Sequence, residues 1–504
     1  MPTITQAFGL DWRFIAFSDP DNFYKTAIKW SKDYGEIVHV KVGLSRFIFL
    51  NSPRVVKALM DKKGSIYSSR PYQPMVFDAY SNGKRYFFMP YGPLWRSVRK
   101  VSHAALNLST SVSYIPIQDF ESKQTLFELL NTKSDGDFFD AARRYSASVI
   151  FTITYGKRIT SHDDPIKLAV NEVVKHFIVM SEPGRWLVDS FPILTKLPGW
   201  MVQNWWKIGQ EFHETDSAVY LGLYRDLVNK AKTGDAQDCF VNDFYRANPE
   251  EHGIDDETAA YTAGSMLEAG SQSTSDVFIT LMLACLLFPE VVKQAQTELD
   301  RVVGTDRLPT FDDESDLPYI RAMIKEVLRW KPILKIGPPH STTEDDWFEG
   351  QFIPKGSTVI LSWWAIQHDP DRWPDPDRYD PTRYLHDPFT SAESMNQPDP
   401  NARDHFTYGA GRRTCPGIHL AQNSLFILLS RTLWGFNITK SIGPDGKEIE
   451  PEVASEEGFQ VTPLRFPCHF SPRSEKHAQI IQDAWLSAEK EGCHWSRKGK
   501  TLSL

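Results

Sequence analysis

At 504 residues the chain is long enough for about three domains on a 150-residue prior, although one large core built around a buried group exceeds that prior. Its hydrophobic share of 41% and charged share of 24% are those of a soluble globular protein, and a net charge of −8 argues against a general nucleic-acid binder, which would be basic. The five cysteines (239, 285, 415, 468, 493) are odd in number and lack paired spacing. They form neither a disulfide framework nor a zinc site, and they point to a reducing compartment.

The first residues, Met1-Pro-Thr-Ile-Thr-Gln-Ala-Phe-Gly9, contain neither a basic n-region nor an apolar h-region. Gly35 to Pro53 reads as a β-hairpin: Ile37, Val38, Val40 and Val42 lead in, Gly43-Leu-Ser turns, and Phe47 to Leu50 return. A helix is predicted from Trp95 to beyond Ala104. It puts Trp95 and Arg99 on one face, with Arg96 and Lys100 on the next as a solvated or docking surface. Asp189 to Trp200, followed by Trp205 and Trp206, reads as a linker between helices. Its tryptophans suit a bilayer interface and ordinary packing equally.

A long helix is predicted from Asp255 or Asp256, as N-cap, to Phe288, where Pro289 stops it. At 1.5 Å per residue it would run about 50 Å. Its apolar run, Val277 to Phe288, is too short to span a bilayer and reads as buried helix. In its middle, Ala269 and Gly270 leave open space. The hydroxyls of Ser271, Ser273 and Thr274 either face solvent or bond back a turn and open the helix locally. Ser315 to Trp330 reads as a helix with Glu326 and Arg329 on one face. The polar stretch from His386 to Asp404 reads as a surface insertion, Ile418 to Trp434 as a helix, and the residues past Arg473 as a short helix and frayed tail. No internal repeat is visible.

The most informative stretch is Phe406-Thr-Tyr-Gly409-Ala-Gly411-Arg-Arg413-Thr-Cys415-Pro-Gly417. Its glycines allow tight turns and close backbone approach, so amide N–H groups can point at the Cys415 sulfur and tune it. A thiolate ligated to haem iron pushes electron density outward and favours O–O cleavage. Arg413 can pair with a carboxylate, and Phe406 can cover the face beside the sulfur. The competing reading is a structural Cys beside a Gly-rich turn. At every specified position the stretch matches the haem-binding signature of the cytochrome P-450 superfamily (Phe-x-x-Gly-x-Gly-x-Arg-x-Cys-x-Gly). Further matches in the usual order extend the resemblance over about residues 20 to 470.

The resemblance implies a mainly α fold with a small β-rich part (α+β) and a haem between the long central helix and the Cys-loop helix. Residues 1–470 would form one domain and 471–504 a charged extension, partly helical or frayed. Cys415 would be the axial thiolate of haem b, within a loop that includes Phe406, Gly409, Gly411, Arg413 and Gly417. Trp95 and Arg99 would join Arg413 at the propionates, and His340 would serve the second one. Glu326, Arg329 and Arg383 would make a buried structural triad. Gly270, Gln272, Ser273 and Thr274 would border dioxygen, but here the sequence departs from the family. The usual acid-Thr pair is Gln272-Ser273; Gln positions a water but cannot titrate. Substrate-pocket positions would be Phe77, Phe87, Phe88, Met89, Met266, Leu267, Ile333, Leu334, Val461 and Thr462, with plain core packing as the rival for each.

The implied activity is insertion of one oxygen atom from O2 into a lipophilic small molecule, most like fungal enzymes of secondary metabolism. Electrons would come from a separate NADPH-dependent cytochrome reductase, since no flavin or dinucleotide fingerprint is present. It would dock near Arg96, Lys100 and Arg412. The alternatives are rearrangement, dehydration or peroxide-driven chemistry on the same fold, and a non-catalytic haem or gas-sensing protein. Microsomal relatives begin with a membrane anchor. The chain is therefore either unanchored and cytoplasmic or the trimmed form of one held on the cytosolic face of the endoplasmic reticulum, with peripheral membrane contact through its Trp-rich linker.

Overall fold

The computed structural model describes residues 20–42, 45–182, 184–334, 336–455 and 460–495. The leading residues and the centre of the hairpin turn, residues 43 and 44, lie outside them. The hairpin is otherwise as expected: β1 (Ile37–Val42) pairs antiparallel with β2 (Ser45–Leu50). Helix α1 (Pro20–Tyr34) packs against it, with Trp30 edge-on to Phe49 at 5.3 Å. Two strands from distant sequence complete the sheet: β3 (His340–Ser341) and β4 (Thr358–Leu361), in the order β1-β2-β4-β3. The β2–β4 pairing is parallel and non-local, so hairpin chemistry alone does not predict it.

Most of the rest is helical. Helix α2 (Pro93–Leu106) starts with Pro at its first turn, where a missing N–H costs nothing. Then come α3 (Ile115–Leu130), α4 (Phe138–Tyr155), α5 (Pro165–Met180) and α6 (Trp205–Thr233). The central segment is two helices rather than one: α7 (Asp256–Gly270) and α8 (Ser273–Leu287). Asp255 caps α7 by accepting the Thr258 N–H at 2.8 Å. At the break Gln272 leaves helical geometry (φ −122°, ψ −37°), and the Ser273 hydroxyl donates to the Ala269 carbonyl at 2.6 Å. The Ser275 hydroxyl donates to the Gln272 carbonyl at 2.7 Å. Side-chain back-bonding thus opens the helix where the hydroxyl run predicts it. Beyond the break, Val277 to Leu286 are buried in the main core. This central segment is long and apolar enough to cross a membrane, but most of it is buried inside the protein.

Helices α9 (Pro289–Val302), α10 (Pro318–Trp330) and α11 (Ile418–Gly435) pack around α8, and strands β5 (Phe436–Thr439) and β6 (His469–Pro472) pair antiparallel. The last helix, α12 (Glu475–Glu491), lies in the stretch expected to hold a short helix and a tail. It buries Ile481 and Trp485, the latter 5.5 Å from Phe120 of α3. An apolar stripe spaced three to four residues apart in a charged background was enough to dock it. The boundary expected at 470 falls inside β6. Nor is the 386–404 stretch a simple surface insertion: Asp387 pairs with Lys325 at 2.6 Å, and Ser391, Ser394 and Asp404 are buried.

Candidate active site

The cysteine loop is held from several directions. The Cys415 N–H donates to the Tyr408 carbonyl at 2.8 Å, and the Gly411 N–H donates to Asp61 Oδ1 at 2.8 Å. Gly411 has φ +63°, and a Cβ there would overlap the Met60 carbonyl, so this position excludes any side chain. Gly409 is also left-handed, at φ +75°. Burial pushes the Cys415 thiol up, opposed by the Gly417 N–H and the Arg99 charge, the two features that favour a thiolate. Phe406 is fully buried in the adjoining core with the Arg403 guanidinium carbon 4.1 Å from its ring centroid, and it is not among the residues lining the cavity above the loop.

Above the loop is a cavity of about 380 Å³. Cys415, Gly417 and Ala421 line one side, and Ala269, Gly270, Gln272, Ser273 and Thr274 at the helix break line the other. Gly270 does more than leave space. A Cβ there would lie 2.7 Å from Ile150 Cγ1, so its bare backbone lets α4 pack closely against the break.

One edge of this cavity is strongly cationic. Arg70, Arg99, Arg413 and His340 line it, and none of the three arginines pairs with a carboxylate among the described residues. They are anchored through carbonyls instead: Arg413 Nε to Ser68 at 2.9 Å, Arg99 to Thr414 at 2.6 Å, and Arg70 to Pro339 at 2.6 Å. Burial, reinforced by Arg70, presses the Arg413 pKa down to about 8. Burial takes Arg70 down to about 10, and His340 is held well below its usual range by burial and the two neighbouring arginines. His340 Nδ1 faces the Tyr67 carbonyl at 2.9 Å, so it carries the proton and leaves Nε2 as the ring's other face. The buried Trp95 Nε1 has no protein partner among the described residues. Uncompensated guanidinium groups and an orphan indole N–H are what two carboxylates entering from outside the chain would satisfy. The residues therefore fit a haem whose propionates lie along this edge.

The sequence profile of the cytochrome P450 family matches residues 7–464. The chain belongs to the cytochrome P450 family. Among its relatives, the P450 monooxygenase verL of Clonostachys rogersoniana is 51% identical over 96% of this chain and 90% of its own length. The P450 monooxygenase virE of Hypocrea virens is 39% identical over 91% and 83%. A zebrafish cytochrome P450 solved with progesterone superposes with TM-score 0.72 at 24% identity, over 89% of this chain and 99% of its own, which bears on the fold. This P450 is accordingly an oxidoreductase of the oxygen-incorporating class.

The structure brings the predicted triad together. Glu326 accepts from Arg329 Nε at 2.7 Å and Nη2 at 2.8 Å, with Arg383 Nε at 3.3 Å. Glu326 and Arg329 are fully buried, and the Asp380 N–H adds a bond to Glu326 at 2.9 Å.

The substrate pocket is read less well. Phe87, Met266, Ile333 and Leu334 line the cavity, but Phe77, Phe88, Leu267, Val461 and Thr462 do not, nor does Met89. Leu267 follows Met266 by about 100° of helix and points into the main core. Phe77 and Phe88 belong to a separate apolar cluster around Trp186 and Trp205. Thr462 is tied to Asp276 Oδ2 at 3.0 Å, and Gln460, not Val461, reaches the cavity. Among the contributors that were missed are Arg70, Phe177, Ile178, Ser265, Glu268 and Gln460. Arg70 stands in no motif, and Glu268 gave only its position one turn before Gln272.

Proposed function

We propose that this P450 holds haem b through Cys415 and oxidises a lipophilic small molecule, as part of fungal secondary metabolism like its relatives. The observation that carries the reading is Cys415 facing the α7–α8 break across a cavity edged by unneutralised arginines. Haem with a thiolate ligand supplies cleavage of dioxygen and delivery of one oxygen atom to the substrate. The chain's own residues do the rest. Arg413, Arg99 and Trp95, joined by Arg70, orient the porphyrin through its propionates, while His340, its Nδ1–H turned to the Tyr67 carbonyl, lines the same edge with an acceptor nitrogen. Phe87, Met266, Ile333 and Leu334 exclude water and give the site its apolar character. The Gln272 amide can hold a water beside the break, and Ser273 Oγ, whose proton goes to the Ala269 carbonyl, can accept a hydrogen bond there.

Electrons would arrive from a separate NADPH-dependent reductase. Arg96, Lys100 and Arg412 are all exposed on the Cys-loop side and suit an acidic partner. The linker before α6 exposes Ile193, Leu197, Trp200 and Met201, and the first turn of α6 exposes Trp206 while it buries Trp205. That apolar group suits the interface of the endoplasmic reticulum membrane. A second reading, rearrangement, dehydration or peroxide-driven turnover, is favoured by one observation: the break presents the Gln272 amide where the family's usual pattern has an acid.

Cys415→Ser tests the assignment. The reduced carbon-monoxide complex of the parent should absorb at the red-displaced position of a thiolate haem, and the variant should lose that band. A parent without it would overturn the reading. Reductase-supported turnover coupled to oxygenated product separates the first reading from the second, which predicts turnover with peroxide alone or product without added oxygen.

A further inference from the structure

A buried charged cluster lies in the cavity roof, away from the propionate edge. Arg85, fully buried, is shared between Glu268 of α7 and Asp216 of α6, the latter at 3.4 Å. Its guanidinium carbon is 4.3 Å from the Tyr80 ring centroid, and Tyr80 and His176 both bond Asp216, His176 at 2.7 Å. The cluster thus joins the segment before α2 to α5, α6 and α7. Its one member lining the cavity is Glu268.

The two carboxylate oxygens of Glu268 are not equivalent. Oε1 accepts from both Arg85 and the Tyr220 hydroxyl. Oε2 has no protein partner among the described residues, and the Glu268 side chain retains 9% of its exposure. One turn earlier on the same face, Ser265 also lines the cavity, and its buried Oγ has no hydrogen-bond partner among the described residues. Around them the wall is apolar, with Phe87, Phe177, Ile178 and Met266. A carboxylate pinned on one side by Arg and Tyr is an oriented acceptor on the other, and an acceptor with no partner in an apolar wall is costly unless a ligand fills it.

We propose that Glu268 Oε2, with Ser265 Oγ beside it, is the polar anchor for substrate, so that the natural substrate is a lipophilic molecule carrying an N–H or O–H donor. This rests on the cavity being the haem and substrate chamber. The donor fixes which carbon faces the Cys415 side; the apolar wall supplies affinity without orientation. Glu268 is therefore a specificity-determining residue.

The test uses the haem-loaded protein and four probes: 4-phenylimidazole and its 2-, 3- and 4-hydroxyphenyl counterparts, with binding read from the shift of the main haem absorption band. At least one hydroxyphenyl isomer should bind about tenfold or more tightly than the parent, the size of a hydrogen bond to a charged group. That advantage should disappear in Glu268→Leu and shrink at least about threefold in Ser265→Ala, while the parent compound binds all three proteins alike. If Glu268→Leu does not retain haem, Glu268→Gln takes its place and should cut the advantage at least about threefold. Equal binding of all four probes to the unaltered protein, or an advantage that survives the Glu268 substitution, overturns the proposal. No band shift with any probe, the parent included, would instead sink the underlying haem-chamber reading.

Discussion

The guanidinium carbon of Arg413 lies 4.2 Å from the Trp95 ring centroid, and the indole N–H of Trp95 is buried without a protein partner. The pair is complete as packing and incomplete as hydrogen bonding. Arg413→Leu should therefore separate two quantities that usually move together. Haem transfer to an acceptor such as apomyoglobin should speed up by about tenfold or more, because a charge-assisted bond to a propionate is lost. Unfolding of the haem-free protein should be unchanged or shifted to higher denaturant, because an uncompensated buried cation has been removed. Equal destabilisation of both forms would show that Arg413 serves packing alone.

The Glu326–Arg329–Arg383 network should behave differently. Glu326→Ala leaves the fully buried Arg329 without its carboxylate and is expected to cost about 3–5 kcal/mol in urea unfolding. Arg383→Ala should cost less, since its single contact to Glu326 is 3.3 Å and it is partly exposed. Losses of similar size from both would argue that the three act as one unit.

At the helix break, Gln272→Asp restores a titratable group beside Ser273. If Gln272 limits proton supply, the fraction of NADPH electrons recovered in product should rise. An unchanged fraction, measured as product formed per NADPH consumed, would place the limit elsewhere.

A pH dependence follows from His368, which stacks on Trp364 at 4.4 Å and faces the Trp364 carbonyl through Nδ1. Burial, with Arg329 and Lys331 nearby, lowers its pKa to about 3. In the unfolded chain it takes up a proton near pH 6.5, so between about 6.5 and 3 the unfolded state binds more protons. Stability should accordingly fall as the solution is acidified through that window, by a few kcal/mol at its lower end. His368→Gln should flatten the acid limb of a plot of urea midpoint against pH. An unaltered limb would assign the acid loss to the other buried histidines, His405 among them.

Local chemistry made the cysteine loop, the Asp255 cap, the α7–α8 opening and the hairpin legible in the sequence, because each is decided by residues within a few positions of one another. The Glu326 triad was legible only through the resemblance, since Arg383 lies far along the chain and nothing local marks it as a partner. Pocket positions failed for a related reason. Met266 and Leu267, or Gln460 and Val461, are adjacent and similarly suited to a lining, and only the direction of each side chain separates them.

The sequence by itself marked Cys415 as the candidate haem ligand and determined the glycine-dependent loop geometry and the helical class, all consequences of covalent identity and short-range sterics. Tertiary structure decided that, among the described residues, Arg70, Arg99 and Arg413 converge with no carboxylate paired to them, and that one oxygen of Glu268 is claimed while the other has no partner. Burial and electrostatic pairing are sums over groups brought together from remote segments, so they take values only once the chain has closed on itself.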